Sequence, residues 1–238
     1  MRPNNLLVLA GGFGTRLRSV VSDVPKPLAP VMNRPYLDYL IESWMAQGFG
    51  RITFLLCHQA DRIRFFLQAL ETEGRLTGCQ ISTVTEPQPL GTGGAIAHAV
   101  RELEMNGPFL VANADTWLGH GIEQVATATT PAIAIVRVAN SERYGRVLTE
   151  GGKVVSFEEK QAVVGHGWIN AGLYHIHADF FSNWDGKPFS LEHELFPKLA
   201  NSGYLSAVPL QTEFIDIGIP EDYFRFCRWI ESGKIGVP

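Results

Sequence analysis

Long apolar runs are missing from this 238-residue sequence: none approaches the roughly 20 residues that a membrane-spanning helix needs. Met1-Arg2-Pro3-Asn4-Asn5 leads straight into a strand-like segment without a signal-peptide pattern, so no membrane partner is expected. Cysteine is scarce. Cys57, Cys79 and Cys227 form an odd set with no CxxC spacing, which suits reduced thiols and a cytoplasmic location better than a disulfide framework. Cys57 and Cys79 lie in apolar runs and are expected in the core. Positive charge is not in excess either. With 20 Lys and Arg against 24 Asp and Glu the net charge is −4, which argues against a nucleic-acid partner, since a phosphate backbone demands a basic face. Repeats, low-complexity tracts and linker-like runs are absent, and 45% hydrophobic with 18% charged residues suits one globular domain over 1–238.

What is present concentrates in Leu6 to Leu28. Leu6, Leu7, Val8 and Leu9 form a short apolar run, as in a central strand covered on both faces. Ala10, Gly11, Gly12 and Gly14 then remove side chains where the chain leaves the sheet, so that backbone N–H groups can close on an anion. Residues 1–34 hold five cations (Arg2, Arg16, Arg18, Lys26, Arg34) against one acid, Asp23. Pro25 and Pro27 stiffen the segment that presents Lys26. Two common phosphate loops do not fit. No Lys follows these glycines in the Walker pattern, and Leu17 stands where a dinucleotide fingerprint needs its third glycine. A plain glycine turn would explain the glycines but not the cations beside them.

Further along, Pro35 can open a helix whose Leu37, Leu40, Ile41, Trp44 and Met45 recur at helical spacing up to Gly48. Residues 52–57 read as a strand, 61–70 as a helix and 80–85 as a strand, a β-α-β-α-β order that implies parallel strands with right-handed crossovers. Glu86-Pro87-Gln88-Pro89-Leu90-Gly91-Thr92-Gly93-Gly94-Ala95 then opens a helix to about residue 104, with Thr92 as N-cap and glycines that permit close approach by a ligand. A plain capped helix would not need three glycines in four positions. A strand over 108–112 ends in Asn113-Ala114-Asp115, and an aspartate there can reach a metal, although a lone one is also an ordinary turn residue. Another strand follows at 132–138.

Beyond it the pattern shifts to shorter strands with glycine turns, at 146–149, 153–158 and 168–177, as expected of a β-rich lobe. His175 and His177 share one strand face but lack a third ligand, so they read as packing or surface residues. Ser190 can cap a helix through Leu199, and Tyr204 to Leu210 is strand-like. Asp216 sits in the apolar run Phe214-Ile215-Asp216-Ile217-Gly218, where a carboxylate is costly unless paired or bound to a cation. Pro220 opens a last helix whose Tyr223, Phe224, Phe226, Cys227, Trp229 and Ile230 read as core packing.

Taken together, LAGGFGTRL at 9–17, PKPL at 25–28, the E…PLGTGGA block at 86–95, NAD at 113–115, EEK at 158–160, NAG at 170–172 and D-x-G at 216–218 resemble the sugar-1-phosphate nucleotidyltransferases, in order and over essentially the full chain. The first and PLGTGGA blocks are most similar to the D-glycero-α-D-manno-heptose 1-phosphate guanylyltransferases, with mannose-1-phosphate guanylyltransferases close behind. This resemblance implies an α/β fold: three layers, Rossmann-like, a mixed and mainly parallel central sheet, and a small β-rich lobe over the active-site crevice. It assigns about 1–138 to a nucleotide-binding half and about 139–238 to a sugar-phosphate-binding half.

The reaction implied is GTP plus sugar 1-phosphate giving GDP-sugar and pyrophosphate, with Mg²⁺ as cofactor and GDP-heptose for polysaccharide synthesis as the product. By resemblance, Leu9, Ala10, Gly11, Gly12, Gly14 and Thr15 hold the nucleotide, Arg16 steadies the departing pyrophosphate and Lys26 neutralises the α-phosphate. Asp115 and Asp216 hold Mg²⁺. Glu86, Gly91, Thr92 and Gly93 resemble the base pocket, Lys160 the lysine that binds the sugar phosphate, and Gly145, Glu158 and Asn170 the positions that hold sugar hydroxyls. Asn113-Ala114-Asp115 stands where many relatives have Gly-Asp-Asp or similar, which leaves Asp115 intact but removes any role for the acid before it. A homo-oligomer is compatible with all of this. A nicotinamide-dependent oxidoreductase lacks support because the third glycine is absent. A non-catalytic sugar-nucleotide sensor would be expected to lose a metal acid or a phosphate cation, and Arg16, Lys26, Asp115, Lys160 and Asp216 are all present.

Overall fold

A computed structural model of the chain describes residues 5–158 and 165–234. In chain order, β1 (Asn5–Leu9) is the apolar run, its three central residues buried. The short β2 (Pro30–Val31) and β3 (Arg34–Pro35) make a tight hairpin that leads into α1 (Tyr36–Ala46), with Pro35 extended at the N-cap. Then come β4 (Arg51–Leu56), α2 (Ala60–Thr72), β5 (Gln80–Thr85) and α3 (Gly91–Glu102). β6 (Pro108–Asn113), β7 (Thr116–Leu118), α4 (Ile122–Thr127) and β8 (Ala132–Val138) follow. β9 (Arg146–Glu150), β10 (Lys153–Glu158) and the long β11 (Gly167–His177) carry the glycine-turn region. The chain continues through α5 (Phe196–Asn201), β12 (Ser206–Leu210), β13 (Phe214–Asp216) and α6 (Pro220–Glu231).

The described residues group into two compact units whose segments interleave along the chain. One contains 5–89, 113–119 and 213–234. Its sheet has the order β5-β4-β1, all parallel, with Leu7 opposite Thr53 and Thr53 opposite Ser82. Separately, β7 and β13 pair antiparallel, which sets Asp216 opposite Thr116. α6 docks through Phe226, which is fully buried and meets Tyr36, Tyr39 and Trp117 at ring-centroid distances of 4.8, 5.9 and 5.5 Å. Tyr223 is buried as well, whereas Phe224, expected in the core, is exposed because its position on α6 faces away from these rings.

The other unit contains 90–112, 120–158 and 165–212. Its strands run in the order β6-β11-β8-β12-β10-β9, and β9 returns to β11 through the pair Ile169 and Arg146, closing part of the sheet on itself. β6, β8, β9 and β12 point one way and β10 and β11 the other, so in this mixed sheet β8 and β12 pair parallel while the pairings made by β10 and β11 are antiparallel. β11 pairs regularly with β8 up to Asn170 and resumes at Tyr174, with Gly172 at φ 69° inside the irregularity. Only glycine adopts that backbone without strain, so NAG at 170–172 marks a bulge.

The α/β architecture is the one expected, and several local expectations shift. Ser190 caps a turn by accepting from His193 N–H, but the expected single helix is split. Leu191–Leu195 forms a π turn and α5 starts afresh at Phe196. Pro197 has no N–H to continue an α-helical ladder from the preceding turn, which accounts for the break. The last long strand begins at Ser206 rather than Tyr204, which is exposed. Cys57 and Cys79 are half-buried, not core: each lies just outside a strand end. His175 is buried, with Nδ1 3.0 Å from the Ala128 carbonyl, in keeping with a packing role.

Candidate active site

The glycine loop, Lys26 and Asp115 come together in the first unit around a cavity of about 180 Å³. Leu9, Ala10, Gly12, Gly14, Thr15, Arg16, Lys26 and Asp115 line it, together with Pro27, Ala114 and Gly218. Gly14 has φ 59° and caps a single 3₁₀ turn over Thr15–Leu17. A Cβ at Gly14 would also lie 3.0 Å from Lys26 Cβ, so this glycine is needed both for its backbone angle and for the approach of the lysine. Gly12 differs: nothing lies within 4 Å of where its Cβ would be, and its face is open. Gly11 faces inward, where a Cβ would come within 2.9 Å of Glu86 Oε1 and 3.0 Å of Cys57 Cβ. Glu86 is thus tucked beneath the loop, buried, and its charge adds to burial in pushing the Cys57 thiol up.

Lys26 emerges from a 3₁₀ turn, Lys26–Leu28, that Pro25 enters with φ −61°. Its Nζ is 2.6 Å from Asp115 Oδ2 and 3.5 Å from Asp216 Oδ1, so one ammonium stands between two carboxylates. The backbone fixes both acids. Ala114 N–H donates to the Leu9 carbonyl at 3.1 Å and Ile217 N–H to the Asp115 carbonyl at 2.9 Å, tying the turn after β6 to β1 and to the end of β13. Thr116 Oγ1 donates to Asp115 Oδ1 at 3.2 Å, and Gly218 N–H donates to Asp216 Oδ1 at 2.7 Å. Burial works against charge on both acids, with different outcomes. At Asp115 the adjacent Lys26 ammonium and its hydrogen bond outweigh burial and hold the carboxyl below the usual range. At Asp216 burial and the Asp115 charge outweigh the more distant lysine and push the carboxyl up. Arg16 is exposed, makes no hydrogen bond among the described residues, and adds positive potential at both aspartates.

The second unit holds the remaining candidates. Gly145, Glu158 and Asn170 lie on or beside one rung: Arg146, which follows Gly145, is the register partner of Glu158 on β10 and of Ile169, which precedes Asn170, on β11, and a Cβ at Gly145 would meet the Glu158 carbonyl at 2.7 Å. The expectation for the glycines of PLGTGGA needs correction. The space they leave is filled by this unit's own chain: a Cβ at Gly91 would lie 2.6 Å from the Phe189 carbonyl and one at Gly93 2.1 Å from the Phe189 ring. Thr92 is not the N-cap of α3 either. Leu90 takes that position without a side-chain cap, while Thr92 Oγ1 accepts from Leu191 N–H at 2.9 Å and donates to Glu192 Oε2 at 2.6 Å. Lys160 lies outside the described residues.

Some residues of the site had no role assigned from sequence. Gly218 was legible only as part of D-x-G; a Cβ there would meet Asp216 Oδ1 at 2.8 Å and Lys26 Nζ at 3.2 Å. Tyr36 reads as a core aromatic, yet its fully buried hydroxyl has no hydrogen-bond partner among the described residues and feels both Asp115 and Asp216, which after burial itself push the phenol well above its ordinary range. No helix among the described residues is long and apolar enough to cross a membrane.

Comparison with known proteins shows the family. The family model "Nucleotidyl transferase" matches residues 5–232. The chain is 34% identical over 236 residues to the mannose-1-phosphate guanylyltransferase catalytic subunit beta of Xenopus tropicalis, covering 95% of this chain and 64% of that protein. It is 30% identical over 227 residues to the D-glycero-alpha-D-manno-heptose 1-phosphate guanylyltransferase of Campylobacter jejuni, covering 92% of this chain and 97% of that one. The crystal structure of HddC from Yersinia pseudotuberculosis superposes with a TM-score of 0.83 at 33% identity, covering 97% of this chain and 100% of HddC, and HddC has also been solved complexed with GMP-PN. Matched by that family model from residue 5 to residue 232, the chain belongs to the nucleotidyl transferase family.

Proposed function

We propose that this chain transfers GMP from GTP to a sugar 1-phosphate, D-glycero-α-D-manno-heptose 1-phosphate, and releases pyrophosphate. The observation that carries the proposal is the Lys26 ammonium held between Asp115 and Asp216 beside a glycine-lined cavity. A sugar phosphate oxygen is already an anion, so no general base is needed. It attacks the α-phosphorus of GTP, a new P–O bond forms as the bond to the bridging oxygen of pyrophosphate breaks, and the electron pair leaves with pyrophosphate. The obstacle is repulsion between two highly charged reactants, so positioning and charge neutralisation supply most of the rate.

The chain's residues divide that work. Backbone amides of Gly11, Gly12 and Gly14 hold the triphosphate, and Arg16, free and exposed, steadies the leaving pyrophosphate. Lys26 neutralises the α-phosphate, which requires it to turn from the aspartates toward the ligand. The two carboxylates then suit Mg²⁺: they are hard oxygen donors that already surround a cation. Among the described residues no third His, Cys, Asp or Glu joins them, which matches the habit of Mg²⁺ to complete its shell with phosphate and water. When bound, the ion supplies further neutralisation of the phosphates. Lys160 takes the sugar phosphate, and Gly145, Glu158 and Asn170 take sugar hydroxyls.

Glu86 and the backbone of Gly91, Thr92 and Gly93, rather than the Cβ-side space that Phe189 fills, are assigned to the base. A carboxylate acceptor favours guanine, which offers N1–H and N2–H₂ donors that adenine lacks. The GMP-PN complex of the Yersinia protein and the guanylyltransferase names of the relatives support the same choice. The three free cysteines fit a reducing cytoplasmic compartment. Mannose 1-phosphate is a second reading, favoured by the 34% identity to the Xenopus protein against 30% to the Campylobacter one. Pyrophosphate release measured for four NTPs against heptose, mannose and glucose 1-phosphates separates these. The highest kcat/KM is expected for GTP with the heptose. Faster turnover with CTP, UTP or dTTP refutes the base, and a preference for glucose 1-phosphate refutes the sugar.

A further inference from the structure

The PLGTGGA helix start and the NAG bulge are joined through one carboxylate that belongs to neither motif. Glu192 Oε2 accepts from Thr92 Oγ1 at 2.6 Å and from Ser190 Oγ at 2.9 Å, while Glu192 Oε1 accepts from the Tyr174 hydroxyl at 3.4 Å. Tyr174 is fully buried, and its oxygen in turn accepts from Asn170 Nδ2 at 3.0 Å. Asn170 Oδ1 is occupied by Gly172 N–H at 2.9 Å. The carboxylate sits in the π turn Leu191–Leu195, a rare backbone form that frequently marks functional sites.

An ionised carboxylate only accepts, so Glu192 fixes the direction of every proton in this chain of bonds. Because Tyr174 must donate to Glu192, it offers a lone pair to Asn170. Because Gly172 N–H occupies Asn170 Oδ1, the amide cannot flip. What Asn170 has left for a ligand is one N–H, a donor suited to a hydroxyl oxygen. At the other end the Thr92 hydroxyl spends its proton on Glu192 and accepts from Leu191 N–H, which pins the glycine turn at 91–93.

We infer that Glu192 is a positioning residue that orients Thr92 and Asn170 together, so that one carboxylate sets the geometry of both the base-binding turn and the sugar-binding amide. This rests on the function proposed above, in which Thr92 borders the base and Asn170 the sugar. Glu192→Gln is nearly isosteric but presents an NH₂ that must face either Tyr174 or the Thr92 and Ser190 hydroxyls, reversing the proton order on that side.

The test is steady-state kinetics with GTP and D-glycero-α-D-manno-heptose 1-phosphate, alongside calorimetric titration of each ligand and thermal melting. Glu192→Gln is expected to raise KM for both substrates by about tenfold, with kcat changed less. Tyr174→Phe, which cuts the relay on the Asn170 side, should raise KM for the sugar phosphate alone, and Thr92→Val KM for GTP alone. A merely structural role predicts a lower Tm with both KM values unchanged, and that result overturns the inference. If Glu192→Gln does not fold, the two single variants decide: equal effects of each on both substrates also overturn it. Wild-type protein that binds neither GTP nor the heptose 1-phosphate defeats the parent reading instead.

Discussion

Lys26 Nζ lies 2.6 Å from Asp115 Oδ2 across 89 residues of sequence, and with Asp216 on its other side it stands where a divalent cation would be attracted. On the proposed function, lysine and metal compete for the same carboxylates in the free protein, and GTP relieves the competition by giving the ammonium an α-phosphate to pair with. Lys26→Met is expected to bind Mn²⁺ more tightly than wild type when no nucleotide is present, while losing turnover. Mn²⁺ titration followed by EPR checks this, and weaker metal binding by the variant would contradict it.

Asp216 carries the cost of the site. Its folded-state carboxyl is raised by burial and by the Asp115 charge, so its contribution to stability is fully present at acid pH and is lost as pH rises through the folded value. At neutral pH the charged form is a net penalty. Asp216→Asn keeps an oxygen for Gly218 N–H and should raise the metal-free Tm by a few degrees at most at pH 7, with the gain vanishing at acid pH, yet abolish Mg²⁺-dependent turnover. A variant that retains turnover would remove Asp216 from the metal site.

The glycines of the site are not equivalent. Gly12→Ala meets no atom of the protein and should leave stability within about 0.5 kcal/mol while weakening GTP binding, because only the ligand approaches that face. Gly218→Ala places a Cβ against Asp216 Oδ1 and Lys26 Nζ and should cost turnover whether or not GTP still binds. Unchanged GTP affinity in Gly12→Ala would show that the loop does not hold the triphosphate there.

Two buried tyrosines should answer oppositely to loss of their hydroxyls. Tyr223 O–H donates to the Pro30 carbonyl, so Tyr223→Phe is expected to cost about 1 kcal/mol at neutral pH. Burial first, then Cys227, pushes this phenol from 10.0 up to about 12, so the folded state keeps a proton that the unfolded state loses between those values. Wild-type stability therefore falls over that window and the variant's falls less, which urea melts at several alkaline pH values would measure. Tyr36→Phe removes a buried hydroxyl with no partner among the described residues and should be neutral or stabilising by about 1 kcal/mol. A clear loss of stability would mean that this hydroxyl has a partner in solution.

Much of the fold was legible because its signals are local. The apolar run at 6–9, the helical spacing from Leu37 to Met45 and the strand at 132–138 follow from periodicity, and the structure places elements there within a residue or two. Glycines at 11–14 and prolines around Lys26 restrict or free the backbone whatever surrounds them, so the loop and its cation were readable from composition alone. The misplacements were local too: Pro197 splits the helix expected from Ser190 to Leu199, through a missing N–H that the periodicity of its neighbours concealed.

By itself, then, the sequence determined the order of elements, the glycine loop and the set of charged residues a phosphate-handling site would need. Only the tertiary structure decided what those residues face. The glycines at 91 and 93 look alike in sequence whether they admit a ligand or a neighbour, and it is packing against Phe189, nearly a hundred residues on, that fills them. Asp115 and Asp216 acquire opposite pKa shifts from their unequal distances to one ammonium, and Glu192 becomes a junction because a π turn aims it at Thr92 and Tyr174. Such contacts depend on register and packing between segments far apart in the chain, and side-chain periodicity carries no information about either.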